Sequence, residues 1–163
     1  MKGFSRILVL LLTLCLLTGC GGQYPEGQTV QCRDLQITFP GDFADLSGES
    51  VAADADIMYG WRSLVVKGMA EEKAKLQSMT LAEYTNLVIS GNQLDCTPEG
   101  YGSGYRFLYD ANVGDTVYTY VTATLESHSC FWIFQFYGPK DKWTENQPEI
   151  DRILSCIQVL EAN

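Results

Sequence analysis

One imidazole, a scatter of acids and one glycine-rich run are the residues of this 163-residue chain that could do chemistry beyond its N-terminal segment. His128 is the single histidine, with Ser127 and Ser129 on either side, so a Ser-His-acid triad is formally available. No G-x-S-x-G elbow or other nucleophile signature accompanies it, and the residue reads as the solvated tip of a turn. Asp54 and Asp56, with Asp42, Asp45 and Glu49 nearby, could gather oxygens around Ca²⁺. The D-x-D-x-D-G-x₅-E frame of a calcium loop is missing, so these acids read as a solvated loop and no metal is expected. The run Gly100-Tyr-Gly-Ser-Gly-Tyr105 lacks both G-x-G-x-x-G and a phosphate-loop lysine, and it precedes a strand where such loops require a helix. It reads as a flexible loop. The chain thus shows no catalytic set and no cofactor motif. The enzymatic alternative is an envelope hydrolase using His128 or the Asp54/Asp56 acids.

Cys20 is a different matter. Met1 to Arg6 carries two positive charges, and Ile7 to Leu17 is an eleven-residue apolar run. A bilayer core needs about 20 apolar residues, so this run reads as a signal-peptide core and not a spanning helix. Leu17-Thr18-Gly19-Cys20 follows, and it resembles a bacterial lipoprotein lipobox. The resemblance implies a diacylglyceryl thioether on Cys20 and cleavage between Gly19 and Cys20. Small side chains beside the scissile bond suit a protease at a membrane surface, and the Cys20 thiolate is the strong nucleophile at hand to take the lipid. Cys15 serves as an internal comparison, because bulky Leu14 precedes it and it would leave too short an apolar core. Two acyl chains, of palmitate type, at about 0.8 kcal/mol per CH₂ supply on the order of 20 kcal/mol of anchoring. The expectation is an exported protein, held on the extracytoplasmic side of the bacterial cell membrane by Cys20.

The organisation that follows is a signal peptide over 1–19, a flexible Gly- and Gln-containing tether over 20–31 and one domain over 32–163. The tether allows a reach of roughly 20 Å. The formal net charge of the whole chain is −9, and losing Lys2 and Arg6 with the signal leaves −11. With no Lys/Arg cluster to interrupt it, such a surface repels phosphate backbones, which excludes nucleic-acid binding and electrostatic capture by anionic headgroups. Four cysteines remain in the domain: Cys32, Cys96, Cys130 and Cys156. Outside the cytosol they permit two disulfides in three connectivities, or they remain small buried hydrophobes. Their spacings do not resemble a zinc site.

The elements that must position these residues are strands, a helix, more strands and a last helix. Leu35–Phe39 alternates and stops at Pro40-Gly41, predicting a strand closed by a turn. Ile57–Trp61 and Ser63–Ala70 read as two strands, or as one strand bent at Gly60. Thr80 with Glu83 forms a capping box, Met79 and Tyr84 are placed to staple it, and Leu81, Tyr84, Leu87 and Val88 predict a helix face ending at Gly91. A short strand near Leu94–Thr97 is expected next, then hairpin strands Tyr105–Asp110 and Thr116–Ser127. Cys130–Tyr137 is apolar on both faces, predicting a central strand covered on both sides. Pro148 suits the first turn of a helix over Pro148–Ser155, and Ile157–Leu160 closes the chain.

The pattern predicts an α+β fold with a mainly antiparallel sheet. Its order, from Ile37-Thr-Phe-Pro40 through MTLAEYTNLV, YRFLYD and CFWIFQFYG to ILSCIQVL, resembles the PsbP/Mog1-like domains over roughly residues 33 to 160. That resemblance implies an α-β-α sandwich with helices on both faces of the sheet. It implies an accessory, assembly or binding role without catalysis, and it transfers no site residue. Of the many rings in the strands, Tyr118 and Tyr120 share a face with Thr122 and Thr124 and form a candidate ligand patch. The expected function is a lipid-anchored, non-enzymatic binding or accessory module of the cell envelope, contacting the membrane through Cys20 and an envelope protein or small ligand.

Overall fold

The apolar run beginning at Cys130 organises everything around it. In the computed structural model, which describes residues 26–49, 53–76 and 78–161, this run is the central strand of a seven-stranded antiparallel sheet. The elements in chain order are β1 (Gln28–Cys32), β2 (Leu35–Phe39), β3 (Ala44–Asp45), β4 (Ile57–Trp61), β5 (Leu64–Glu72), α1 (Leu81–Gly91), β6 (Glu99–Tyr101), β7 (Gly104–Val113), β8 (Thr116–Glu126), β9 (Cys130–Pro139), α2 (Trp143–Ser155) and β10 (Ile157–Val159). The large sheet runs β3-β4-β5-β9-β8-β7-β6, and a small one runs β1-β2-β10.

Alternation along β9 feeds two cores. Cys130, Trp132, Phe134 and Phe136 are fully buried on one face, against Leu35, Ile37 and Phe39 of the small sheet and Ile150, Ile153 and Leu154 of α2. Phe131 points the other way and joins Leu81 and Tyr84 of α1 in a second, smaller core. The two helices therefore lie on opposite faces of the sheet, as an α-β-α sandwich requires. The capping box forms: the Glu83 amide donates to Thr80 Oγ1 at 3.3 Å, and Glu83 Oε2 accepts from the Thr80 amide at 2.8 Å.

Several expectations shift. Gln28–Gln31, assigned to the tether, belongs with Cys32 to strand β1, which pairs antiparallel with β2 throughout. Its sequence QTVQC hides the strand because the half-buried positions, Gln28, Val30 and Cys32, include a glutamine. Leu94–Thr97 is not a strand. The run Gly100–Tyr105 is not a free loop but the tight β6–β7 hairpin, with Gly102 in the left-handed region at φ +58°. The Leu81–Val88 stripe is rotated: Leu87 is 48% exposed, and Thr85 and Ile89 are buried in its place. Thr85 can face the sheet because its hydroxyl bonds both Leu81 O at 2.7 Å and Thr124 Oγ1 at 2.6 Å. Finally, α2 starts at Trp143, so Pro148 lies inside it. Trp143 packs against the main core and buried Asn146 meets Ser63 Oγ at 3.4 Å, which anchors the turn preceding the proline. The signal segment 1–19 and Cys20 lie outside the described residues.

Candidate functional site: a cleft under the second helix and a tyrosine ladder

Antiparallel register places Tyr109 of β7 opposite Tyr120 of β8, and Tyr120 opposite Tyr137 of β9. Their rings stack at 5.0 Å and 3° and at 5.2 Å and 18°. Tyr118, two residues along β8, stands opposite Ala111 and Pro139 and outside the ladder. Burial pushes the three ladder hydroxyls above the ordinary tyrosine value, so they are neutral throughout the physiological range. The inner ring faces are committed to one another, which makes the ladder a cross-strand staple worth about 0.5–1.5 kcal/mol per pair. Of the Tyr118/Tyr120 pair, Tyr120 is taken up in this stack by both neighbours and Tyr118 is not.

His128 is exposed in the turn between β8 and β9, and both flanking serine hydroxyls are directed elsewhere. Ser127 Oγ donates to Cys130 O at 3.0 Å, and Ser129 Oγ donates to Asp34 Oδ2 at 2.9 Å. Burial pushes the Asp34 carboxyl up, but hydrogen bonds from Ser129 and Ser127 outweigh it and hold the group at about 2. A depressed carboxyl stabilises the fold above its unfolded value and loses that contribution as pH falls through the folded one. Asp34 is therefore expected to supply on the order of 1 kcal/mol, after solvent screening, that disappears between about pH 4 and pH 2. Acid unfolding of wild type against Asp34→Asn, followed by circular dichroism, checks this: the variant should lose stability at pH 6 and show a shallower acid limb.

The acidic loop is also tied down. Asp54 pairs with Lys67 at 2.6 Å, and Asp56 accepts from Arg33 Nη2 at 3.3 Å and from the Ala70 amide at 2.8 Å. Asp45 accepts from the Ser47 amide and hydroxyl. Among the described residues no group of three or more ligating side chains could hold a metal ion. The four cysteines are thiols, with Cys130 and Cys156 buried and Cys32 and Cys96 half-buried.

A cleft of about 370 Å³ opens where α2 crosses β7 and β8. Val121, Ile150 and Trp143 supply apolar wall, and Leu108, 50% exposed, stands on its lip. Asp95, Glu99 and Asp151 bring carboxylates to the rim. Arg106 is the cation there; it meets Asp151 Oδ1 at 2.9 Å and lies over the Tyr101 ring at 4.8 Å. Cys96 lines the cleft, its thiol pushed up by burial and by the Asp95 charge. Polar and charged side chains line more of this cleft than apolar ones do, so it offers a charged mouth over a small apolar floor. The sequence did not reveal it, because its walls come from the segment 95–99, from β7 and β8 and from α2. Only the fold joins them. A second hollow, of about 440 Å³, between the β6–β7 turn and β10 has no charged lining.

No protein-family model and no curated protein matches the chain. Solved structures do. The solution structure of cyanobacterial PsbP (CyanoP) from Synechocystis sp. PCC 6803 aligns over 88% of this chain and 98% of its own, with a TM-score of 0.57 and 14% identity. A mutant of Mog1 aligns over 83% and 97%, with a TM-score of 0.53 and 10% identity. A protein from Bacteroides thetaiotaomicron VPI-5482 aligns over 83% of this chain and 49% of its own, with a TM-score of 0.55 and 9% identity. At such identities the likeness is one of fold: the architecture is PsbP/Mog1-like.

Proposed function

We propose that this chain is a lipid-anchored, non-enzymatic binding or accessory module of the bacterial cell envelope, tethered through Cys20 and holding its ligand in the cleft under α2. The observation that carries the binding role is the cleft itself, in which Asp95, Glu99, Arg106 and Asp151 converge over the apolar floor of Val121 and Ile150. The non-enzymatic reading is supported by the partners of the candidate acids and serines. Asp54 and Asp56 are held by cations, and the two serines beside His128 are held by β9 and by Asp34. The anchoring role is supported by the Leu17-Thr-Gly-Cys20 pattern and by the chain's acidic surface, which supplies no attraction to anionic lipid. Among the described residues no helix is long and apolar enough to cross a membrane.

Cys96 provides the test, because it lines the cleft and Cys32 does not. With its thiol raised, alkylation of Cys96 in the purified lipoprotein is expected to keep accelerating above pH 9. A ligand at ten times its dissociation constant leaves about one cleft in eleven empty. Adding an envelope extract should therefore slow Cys96 alkylation about tenfold and leave Cys32 unchanged, with the two thiols read separately by mass spectrometry. Equal rates at Cys96 with and without extract would contradict a ligand role for the cleft.

A further inference from the structure

We infer that the occupant of the cleft is an extended, basic peptide segment of an envelope protein, added as a strand to the outer edge of β7. This rests on reading the cleft as the ligand site and names the class of ligand. β6 pairs only with Gly104–Arg106, so among the described residues the outer edge of β7 from Phe107 to Val113 has no strand partner. Seven residues of strand offer roughly 23 Å of edge with unpaired backbone groups.

Sheet edges are ordinarily blunted by lysine, proline, a bulge or a covering segment. This one carries no lysine or proline, and Leu108 and Val113 are 50% and 53% exposed along it. Asp95, Cys96 and Thr97, which lead into β6, line the cleft with Phe107 and Leu108 and form no strand there. Phe107 and Leu108 belong at once to the edge and to the cleft lining, so a strand laid on β7 would place alternate side chains into the cleft.

Charge selects the occupant. The Arg106 guanidinium is taken by Asp151, and among the described residues no ion pair holds Asp95 or Glu99. The rim is left with net negative charge beside an apolar wall, which fits a segment alternating Lys or Arg with aliphatic residues. A second copy of this chain fits badly. It would bring a −11 surface and the same acidic rim against this one, and like charges juxtaposed at an interface are unfavourable.

The test uses the full lipoprotein in detergent micelles and fluorescent synthetic octapeptides read by anisotropy. A (Lys-Val)₄ peptide should bind and protect Cys96 from alkylation, and (Glu-Val)₄ should do neither. Asp95→Asn with Glu99→Gln should weaken the basic peptide roughly fivefold to tenfold, more at low salt than at high. N-methylation of alternate backbone amides should abolish binding, because it removes the donors a strand needs and leaves the charge intact. Equal affinity for the N-methylated peptide would overturn strand addition. Failure of every peptide, while an envelope extract still protects Cys96, would overturn this inference and leave the cleft reading standing. Failure of the extract as well would overturn both.

Discussion

Phe134→Ala is expected to remove about 3–5 kcal/mol of stability, enough to unfold a domain whose total is on the order of 5–15 kcal/mol or leave it barely folded. Phe134 is fully buried in β9, with Gly68 of β5 and Ala123 of β8 directly opposite. Those two small neighbours make room for the ring. A Cβ on Gly68 would stand 2.8 Å from it, so the ring fills space that no adjacent side chain could reclaim. The cavity left by alanine would persist, and the cost follows its volume. Trp132 is larger and stacks on Phe134 at 5.7 Å, yet its Nε1 is buried with no hydrogen-bond partner among the described residues. Removing that indole also removes a desolvation penalty of about 1–3 kcal/mol, so Phe134 is the more damaging deletion. Denaturant unfolding checks the ranking, with Leu87→Ala on the exposed side of α1 as the reference, expected within about 0.5 kcal/mol of wild type. A loss below about 1 kcal/mol at Phe134 would mean that β9 is not the centre of the core.

Local chemistry was legible where it was self-sufficient. The Thr80/Glu83 box marks the start of α1 because both hydrogen bonds lie within four residues. The doubly apolar run at Cys130 marks the central strand because only a strand buried on both faces tolerates it. The β7–β8 hairpin is legible for a similar reason, its strands long and its turn short. β1 is hidden although its partner β2 follows directly, because a glutamine occupies one of its half-buried positions. The other misses depend on partners distant in sequence: Leu87 is exposed because Thr85 finds Thr124 across the sheet. The sequence starts the last helix at Pro148, more than a turn after its actual start at Trp143, since the anchors of the earlier turn, Trp143 and Asn146, act through the core and Ser63. Alternation along β8 puts Tyr118 and Tyr120 on one face, but register decides which tyrosine faces which. That made Tyr109 and Tyr137 the partners of Tyr120 and left Tyr118 aside. The cleft was invisible for the same reason.

The second large effect concerns the anchor. On the proposed reading, Cys20 carries the lipid, and two acyl chains supply on the order of 20 kcal/mol of membrane affinity. Among the described residues no feature could replace it. The domain surface is acidic, and among the described residues no helix could span a bilayer. Replacing sulfur at position 20 removes the nucleophile that takes the diacylglyceryl group and the residue that fixes the cleavage point. The loss of the lipid should be all-or-none. Cys15→Ala, five residues earlier, should behave as wild type.

Metabolic labelling with an alkyne fatty acid, followed by intact mass of the purified protein, tests the tethered-module account most directly. Wild type should carry the label, lack residues 1–19 and weigh the lipid more than its polypeptide. Cys20→Ala should carry no label and keep residues 1–19. Label retained in Cys20→Ala, or a wild-type protein that is unlabelled and uncleaved, would contradict the account.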